Sequence, residues 1–412
     1  MNKNQTYRIL AEGEGACNDT WRSGLNNNDL VIGPSGAGKT RGYVLPNILE
    51  CAESMIISDS KNSLYRKSAK LLRKEGYQVV SIDFRDGNRS FGYNPLDFIR
   101  HDTVSDRYNE QDILTLSACL VPVESQKEPF WDYAARMFLE CLTGYVLECL
   151  PSKEHTLSSV ALLLAEMGGI RFKLLMEELG ELSPKSFAFR RWELFKGMVQ
   201  ADRMFSSVLG MLAEKLSMLM FDSAEAIFSK EEHQRIRLEG IGKKKMAVFV
   251  NVSDTDRAFD RLAPLFYTQT LQVLCNSADK NAGGCLSVPV RFLMDDFAAN
   301  ICIPDFDKVS SVIRSRGISV SIILQSISQL EAAYGQAKAM TIINNCDSCL
   351  YLGGQDVRSA SYMGVKADKT ASTILNMPLD KAWLFIRGQK PRIVEKYNVS
   401  SHRNYAQLLG EG

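Results

Sequence analysis

Short apolar runs alternate with amphipathic stretches at both ends of the chain, and a long helical pattern fills the middle. Leu30-Val31-Ile32 is too brief for a helix and leads directly into glycines. Ser54–Ser58 and Tyr77–Asp83 repeat the strand pattern, separated by helical spacing over Leu64–Lys74. The segment after Thr40 predicts a helix broken near Pro46. Strands alternating with short helices imply right-handed βαβ units and a mainly parallel central sheet, an α/β fold. Residues 1–28 are polar and rich in Gly and Asn, and predict a loop that delivers the chain into the first strand.

From about Val104 to about Gly240 the period changes, and almost every segment fits a helix. Pro122, Pro129, Pro151, Gly168-Gly169 and Pro184 fall between the helices. Strand character returns at Lys245–Asn251, then at Val288–Met294, Ile318–Leu324, Ser348–Leu352 and Ala382–Ile386. A helix is expected over Phe259–Cys275 and a surface loop over Asn276–Gly284. The expected domains are therefore a polar segment (1–28), a nucleotide-binding domain in two pieces (29–103 and 241–412), and an inserted all-alpha domain (104–240).

A chain of 412 residues is long enough for two cores, and 45% hydrophobic with 24% charged residues is a globular profile. Lys+Arg 49 against Asp+Glu 48 leaves a net charge of +1. Any nucleic-acid contact must then come from local clusters, such as Arg66, Lys67, Lys70, Arg73 and Lys74 or the run Lys243–Lys245. Charge runs of this kind are more often solvated faces. Aromatics in the helical stretch (Phe130, Trp131, Phe138, Trp192, Phe195) recur at helix spacing, which reads as core rather than a base-stacking platform. The ten cysteines are scattered and read as reduced thiols; Cys346-Asp347-Ser348-Cys349 has neither a second CxxC nor a nearby His to complete a metal site. No stretch reaches the ~18–20 apolar residues of a membrane-spanning helix.

The strongest chemical signal is Gly33-Pro34-Ser35-Gly36-Ala37-Gly38-Lys39-Thr40, which fits G-x-x-x-x-G-K-[ST] after a buried strand and at a helix start. Glycines let successive N–H groups face the phosphates of ATP; Lys39 reaches the β/γ-phosphates and Thr40 supplies a hydroxyl to Mg²⁺. Arg291–Asp296 is an apolar strand ending in acids. Asp295 is assigned to the metal, directly or through water, and Asp296 to polarising the attacking water. Gln325 closes the strand Ile318–Leu324, where an amide can sense the γ-phosphate or position water. Arg314 and Arg316 precede that strand. They are either arginines that reach a neighbour's γ-phosphate in a ring or solvated groups at a helix end. Asp59-Ser60-Lys61 follows the second strand, where it either joins the site or caps the next helix.

Taken in order, these motifs resemble the TraG/TraD-type coupling ATPases of type IV secretion and conjugation. The series runs from the P-loop and Asp59-Ser60-Lys61 through Tyr93-Asn94-Pro95-Leu96 and the inserted helices. It continues with Asp295-Asp296-Phe297-Ala298, Ile313-Arg314-Ser315-Arg316 and Ile323-Leu324-Gln325-Ser326-Ile327-Ser328-Gln329-Leu330. The likeness spans about residues 28–396 and is greatest to versions from conjugative elements of Gram-positive bacteria. It implies a RecA-like P-loop domain, an all-alpha domain that receives a relaxase–single-stranded DNA complex, and delivery to membrane-associated secretion-channel proteins. It also implies a homo-hexamer when active, with a monomer as the isolated state, at the inner face of the cell membrane. Alternatives are a nucleotide-gated docking adaptor with little turnover and an FtsK/HerA-like DNA pump, which lacks the helical insertion. This sequence departs from the family in carrying Asp295-Asp296 where Asp-Glu is usual; the N-terminal membrane anchor of many relatives is not expected among these residues, either because it has been removed or because this version docks through a membrane partner.

Overall fold

The computed structural model describes residues 6–124, 127–166, 170–199, 201–252, 259, 261–298 and 302–409. The strands in chain order are β1 (Tyr7–Ala11), β2 (Glu14–Cys17), β3 (Asp29–Ile32), β4 (Ser54–Ser58), β5 (Gln78–Asp83), β6 (His101–Asp102), β7 (Arg107–Tyr108), β8 (Met246–Asn251), β9 (Val290–Met294), β10 (Ile318–Leu324), β11 (Ser348–Tyr351), β12 (Lys381–Ile386) and β13 (Arg392–Glu395). The chain divides into two compact units: Met1–Ser81, Arg237–Asp254 and Thr270–Gly412 form one, and Ile82–Ile236 with Thr255–Gln269 the other.

The first unit is built on a sheet ordered β13-β12-β11-β3-β10-β9-β4-β8-β5. From β11 through β3, β10, β9 and β4 to β8 each neighbouring pair is parallel, whereas β12 and β13 add an antiparallel edge. The central strands are buried on both faces, which is why they read as continuous apolar runs rather than alternating ones. In such a sheet the carboxyl ends of all parallel strands lie along one edge, and ligand sites gather there.

Two segments differ from expectation. Residues 7–17 are an antiparallel hairpin, β1–β2, rather than a loop; Leu10 and Ala11 are buried, and Asn47 exchanges hydrogen bonds with the Ile9 backbone at 2.9 Å each way. The hairpin is held by tertiary contacts that a polar composition conceals. The helix Leu262–Lys280 runs five residues into the expected loop Asn276–Gly284, because Leu271, Leu274 and Ala278 continue its buried face. The break near Pro46 is present as a wide π turn over Thr40–Val44 followed by the helix Leu45–Leu49, with Pro46 in its first turn.

The second unit is mainly helical, with β6–β7 as a two-residue hairpin. It begins at Ile82, earlier than the expected 104. The reason is that Tyr93, fully buried, belongs to its core: the hydroxyl donates to Gln269 Oε1 at 2.6 Å, and the ring meets Phe266 edge-on at 5.1 Å. Phe138, Trp192 and Phe195 are buried with Phe172 and Phe205 in one aromatic cluster; Phe130 and Trp131 are half-buried. Among the described residues, no single helix is long and apolar enough to cross a membrane.

Candidate functional site

The loop after β3 carries the P-loop residues. Gly38 has φ +95°, a conformation open to glycine and strained for other residues. Gly33 is required for a different reason: a Cβ there would lie 2.9 Å from Leu352 Cβ and 3.0 Å from Ala37 Cβ. Lys39 is buried and donates to the carbonyls of Gly33 at 2.8 Å and Pro34 at 3.1 Å. The loop therefore wraps around its own lysine.

The ends of β3, β4, β8, β9 and β10 enclose a cavity of about 340 Å³. Lys39, Thr40, Asp295, Asp296 and Gln325 all line it, so five sequence-predicted residues converge on one pocket. Thr40 Oγ1 donates to Asp295 Oδ2 at 2.7 Å. Asp295 Oδ1 in turn accepts from the Asp296 N–H at 3.1 Å, and Gln325 Nε2 lies 3.4 Å from Asp296 Oδ1. Burial raises the Asp295 carboxyl above its ordinary 3.8, against the Thr40 hydrogen bond, while the Asp296 charge adds to the rise. Asp296 has φ +53°, a left-handed conformation that Asp tolerates better than most residues.

Of the P-loop residues, Pro34, Ser35, Gly36 and Gly38 also line the cavity. A hydroxyl beside a carboxylate is a hard-oxygen pair suited to Mg²⁺, a metal commonly held by one or two protein oxygens together with phosphate oxygens. The donor set fits that ion, and the glycine cradle fits a polyphosphate.

Arg314 and Arg316 are not brought into this pocket. They precede β10 and so lie at the opposite end of that strand from Gln325. Arg316 forks onto Asp279 at 2.8 and 3.0 Å, while Arg314 makes one exposed contact, with the Thr20 carbonyl at 3.3 Å. Asp59 does both: it caps the next helix, accepting from the N–H groups of Ser63 at 2.9 Å and Tyr65 at 2.8 Å, and with Ser60 and Lys61 it also lines the cavity.

The sequence reading missed Arg41, Ser58, Val250 and Val252, which also line the cavity. Ser58, Val250 and Val252 had one usable signal, their position at or just beyond the carboxyl ends of buried strands; Arg41 had only its place after Thr40. Cys346 and Cys349 are buried free thiols around the start of β11.

A parallel sheet with a phosphate-binding loop after one central strand and an acid at the end of another defines a P-loop nucleotide-binding protein with a RecA-like core and a helical insertion. Residues 2–367 match the family described as Type IV secretory system Conjugative DNA transfer, and the chain belongs to that family. It is 23% identical over 347 residues to protein VirD4 of Rhizobium radiobacter, covering 83% of this chain and 48% of the relative. It is 25% identical over 339 residues to the conjugal transfer protein TraG of Escherichia coli, covering 77% and 51%. The chain thus spans about half the length of the curated relatives it matches. Among solved structures, the plasmid coupling protein TrwB in complex with the ATP analogue ADPNP superposes with a TM-score of 0.71 at 16% identity, covering 97% of this chain and 91% of that one. TrwB in complex with ADP and Mg²⁺ gives a TM-score of 0.70 at 16% identity, covering 97% and 91%.

Proposed function

We propose that this chain is an ATP-driven coupling protein that recruits a relaxase–single-stranded DNA complex and drives it into a type IV secretion channel. The observation that carries the reading is the convergence of Lys39, Thr40, Asp295, Asp296 and Gln325 on one cavity. Family membership and the nucleotide complexes of TrwB support it.

In this reading Lys39 exchanges its two carbonyl partners for β/γ-phosphate oxygens, which are stronger, charged acceptors. Thr40 and Asp295 hold Mg²⁺, whose chemistry is to neutralise charge on the phosphates. Asp296 accepts the proton of the attacking water, and Gln325 orients that carboxylate and the water. Arg314 and Arg316 act on a neighbouring subunit's site in a homo-hexamer, which their distance along β10 from their own pocket supports. Arg314 is the freer of the two, since Arg316 must first release Asp279. The protein works at the cytoplasmic face of the membrane through its channel partners.

The test is ATP hydrolysis measured against protein concentration, with and without single-stranded DNA. DNA-stimulated turnover that is lost in Lys39→Ala is expected; a wild-type protein with no hydrolysis at any assembling concentration would overturn the motor.

A further inference from the structure

A phosphate-binding loop has a second requirement besides its inward N–H groups. When successive N–H groups point at an anion, the intervening carbonyls turn outward and need donors of their own. Lys39 serves Gly33 and Pro34 from within the loop. The outward carbonyl of Ala37 is served from elsewhere: Lys396 Nζ donates to it at 3.0 Å and to the carbonyl of Leu352, also at 3.0 Å.

Lys396 directly follows β13, and its own N–H is held by the Asp380 carbonyl at 3.1 Å. Leu352 directly follows β11, is fixed through its N–H to Ile32 at 2.7 Å, and lies against Gly33. One half-buried ammonium group therefore ties the antiparallel edge of the sheet, the end of β11 and the middle of the P-loop together. Its position differs from that of Lys39. Lys39 is inside the loop and available to a ligand, whereas Lys396 is outside it, with one bond on a strand end. Lys396 also lies past residue 367, where the family match ends.

We propose that Lys396 is a positioning residue of the nucleotide site, clamping the Ala37 carbonyl outward so that the loop keeps its phosphate-binding form. This rests on the nucleotide-site reading above. Nucleotide affinity thus depends on the C-terminal β12–β13 edge, even though that edge contributes nothing to the cavity lining.

Binding of a fluorescent ADP analogue with Mg²⁺ tests it in the full chain, beside thermal melting without nucleotide. Lys396→Met keeps the stem and removes the donors; affinity is expected to fall about tenfold, equivalent to about 1.4 kcal/mol. The melting temperature without nucleotide should fall by no more than a few degrees, since two carbonyls lose a donor. Lys396→Arg, which restores a charged donor, should recover much of the affinity, a rescue that a mere packing role for the stem would not give. Lys396→Gln, with one neutral donor group, should fall between and covers the case in which the Met variant does not fold. Unchanged affinity in folded Lys396→Met or Lys396→Gln overturns the clamp alone, because wild-type binding then still supports the site. Absence of binding by the wild-type protein overturns the site reading and the clamp with it.

Discussion

The two ends of the central strands carry similar groups used in opposite ways. At the amino-terminal end, Arg8 meets Asp29 at 2.7 Å and Arg291 meets Glu53 at 2.5 Å, all four side chains being almost fully buried. Tyr43 donates to Asp29 Oδ2 at 2.6 Å and contacts Ser321 at 2.8 Å, while Arg291 reaches Ser321 at 3.1 Å. Two positive and two negative groups balance there. Burial, with the Asp29 charge beside it, raises the Tyr43 phenol well above its ordinary value and keeps it a donor. At the carboxyl-terminal end, only 4 residues from Arg291 along the same strand, Asp295 holds a hydroxyl, and Lys39 spends its charge on neutral carbonyls. The first end is closed by paired charges; the second leaves its charges under-engaged, which is the condition for binding a charged ligand.

The largest effect should come from opening the closed end. Asp29→Asn is nearly isosteric but leaves Arg8 and Arg291 buried without their shared carboxylate, a loss expected to cost about 3–5 kcal/mol in urea unfolding. Lys39→Ala removes a buried cation at the other end, yet should cost only about 1 kcal/mol, since it leaves two carbonyls short of a donor. Equal losses in the two variants would dissolve the contrast.

Asp295 gives a prediction with a sign. Its folded carboxyl titrates above the unfolded value of 3.8, so between those two values the folded state holds more protons than the unfolded state. Stability without nucleotide therefore falls as pH rises through that window. Asp295→Asn removes this cost, and should melt higher than wild type at neutral pH, with the advantage vanishing as pH falls toward 3.8. The same variant should weaken Mg²⁺-dependent nucleotide binding by at least about tenfold. A variant that melts lower at neutral pH would place Asp295 with the closed end instead.

Much of this division was legible in sequence and some was not. The P-loop, Asp295 and Gln325 were readable because a parallel sheet puts chemistry at strand ends, where an apolar run gives way to polar residues. The central strands were readable for the same reason. Arg8 and the hairpin around it were not, since nothing in a polar segment shows that an arginine will be buried against an aspartate 21 residues away. Lys396 was equally silent: its role depends on β13 lying at the sheet edge and on carbonyl directions, both set by tertiary packing. The helix Leu262–Lys280 outran expectation because Asn and Asp, weak helix formers, were overridden by the burial of Leu274 and Ala278. Asp296 was read as a shortened acid without its backbone, and that backbone changes what the substitution costs.

Asp296→Glu should have the smallest effect on stability and the most informative effect on rate. The left-handed backbone at 296 suits Asp, whose short side chain tolerates that region, so Glu should cost less than about 1 kcal/mol in urea unfolding. In exchange the carboxylate gains one methylene, about 1.5 Å of reach, in a site where the Gln325 amide is 3.4 Å from it, long for a hydrogen bond. Turnover should therefore rise several-fold while nucleotide affinity stays within a factor of about two. That result would mark the protein as a motor slowed by a short acid. A rate that does not move would mean the turn at 296 already presents Asp at the working distance. A wild-type protein that binds nucleotide and cargo but turns over negligibly, with no gain from Glu, would favour a nucleotide-gated docking adaptor. The under-engaged end of the sheet would then be built for binding rather than hydrolysis.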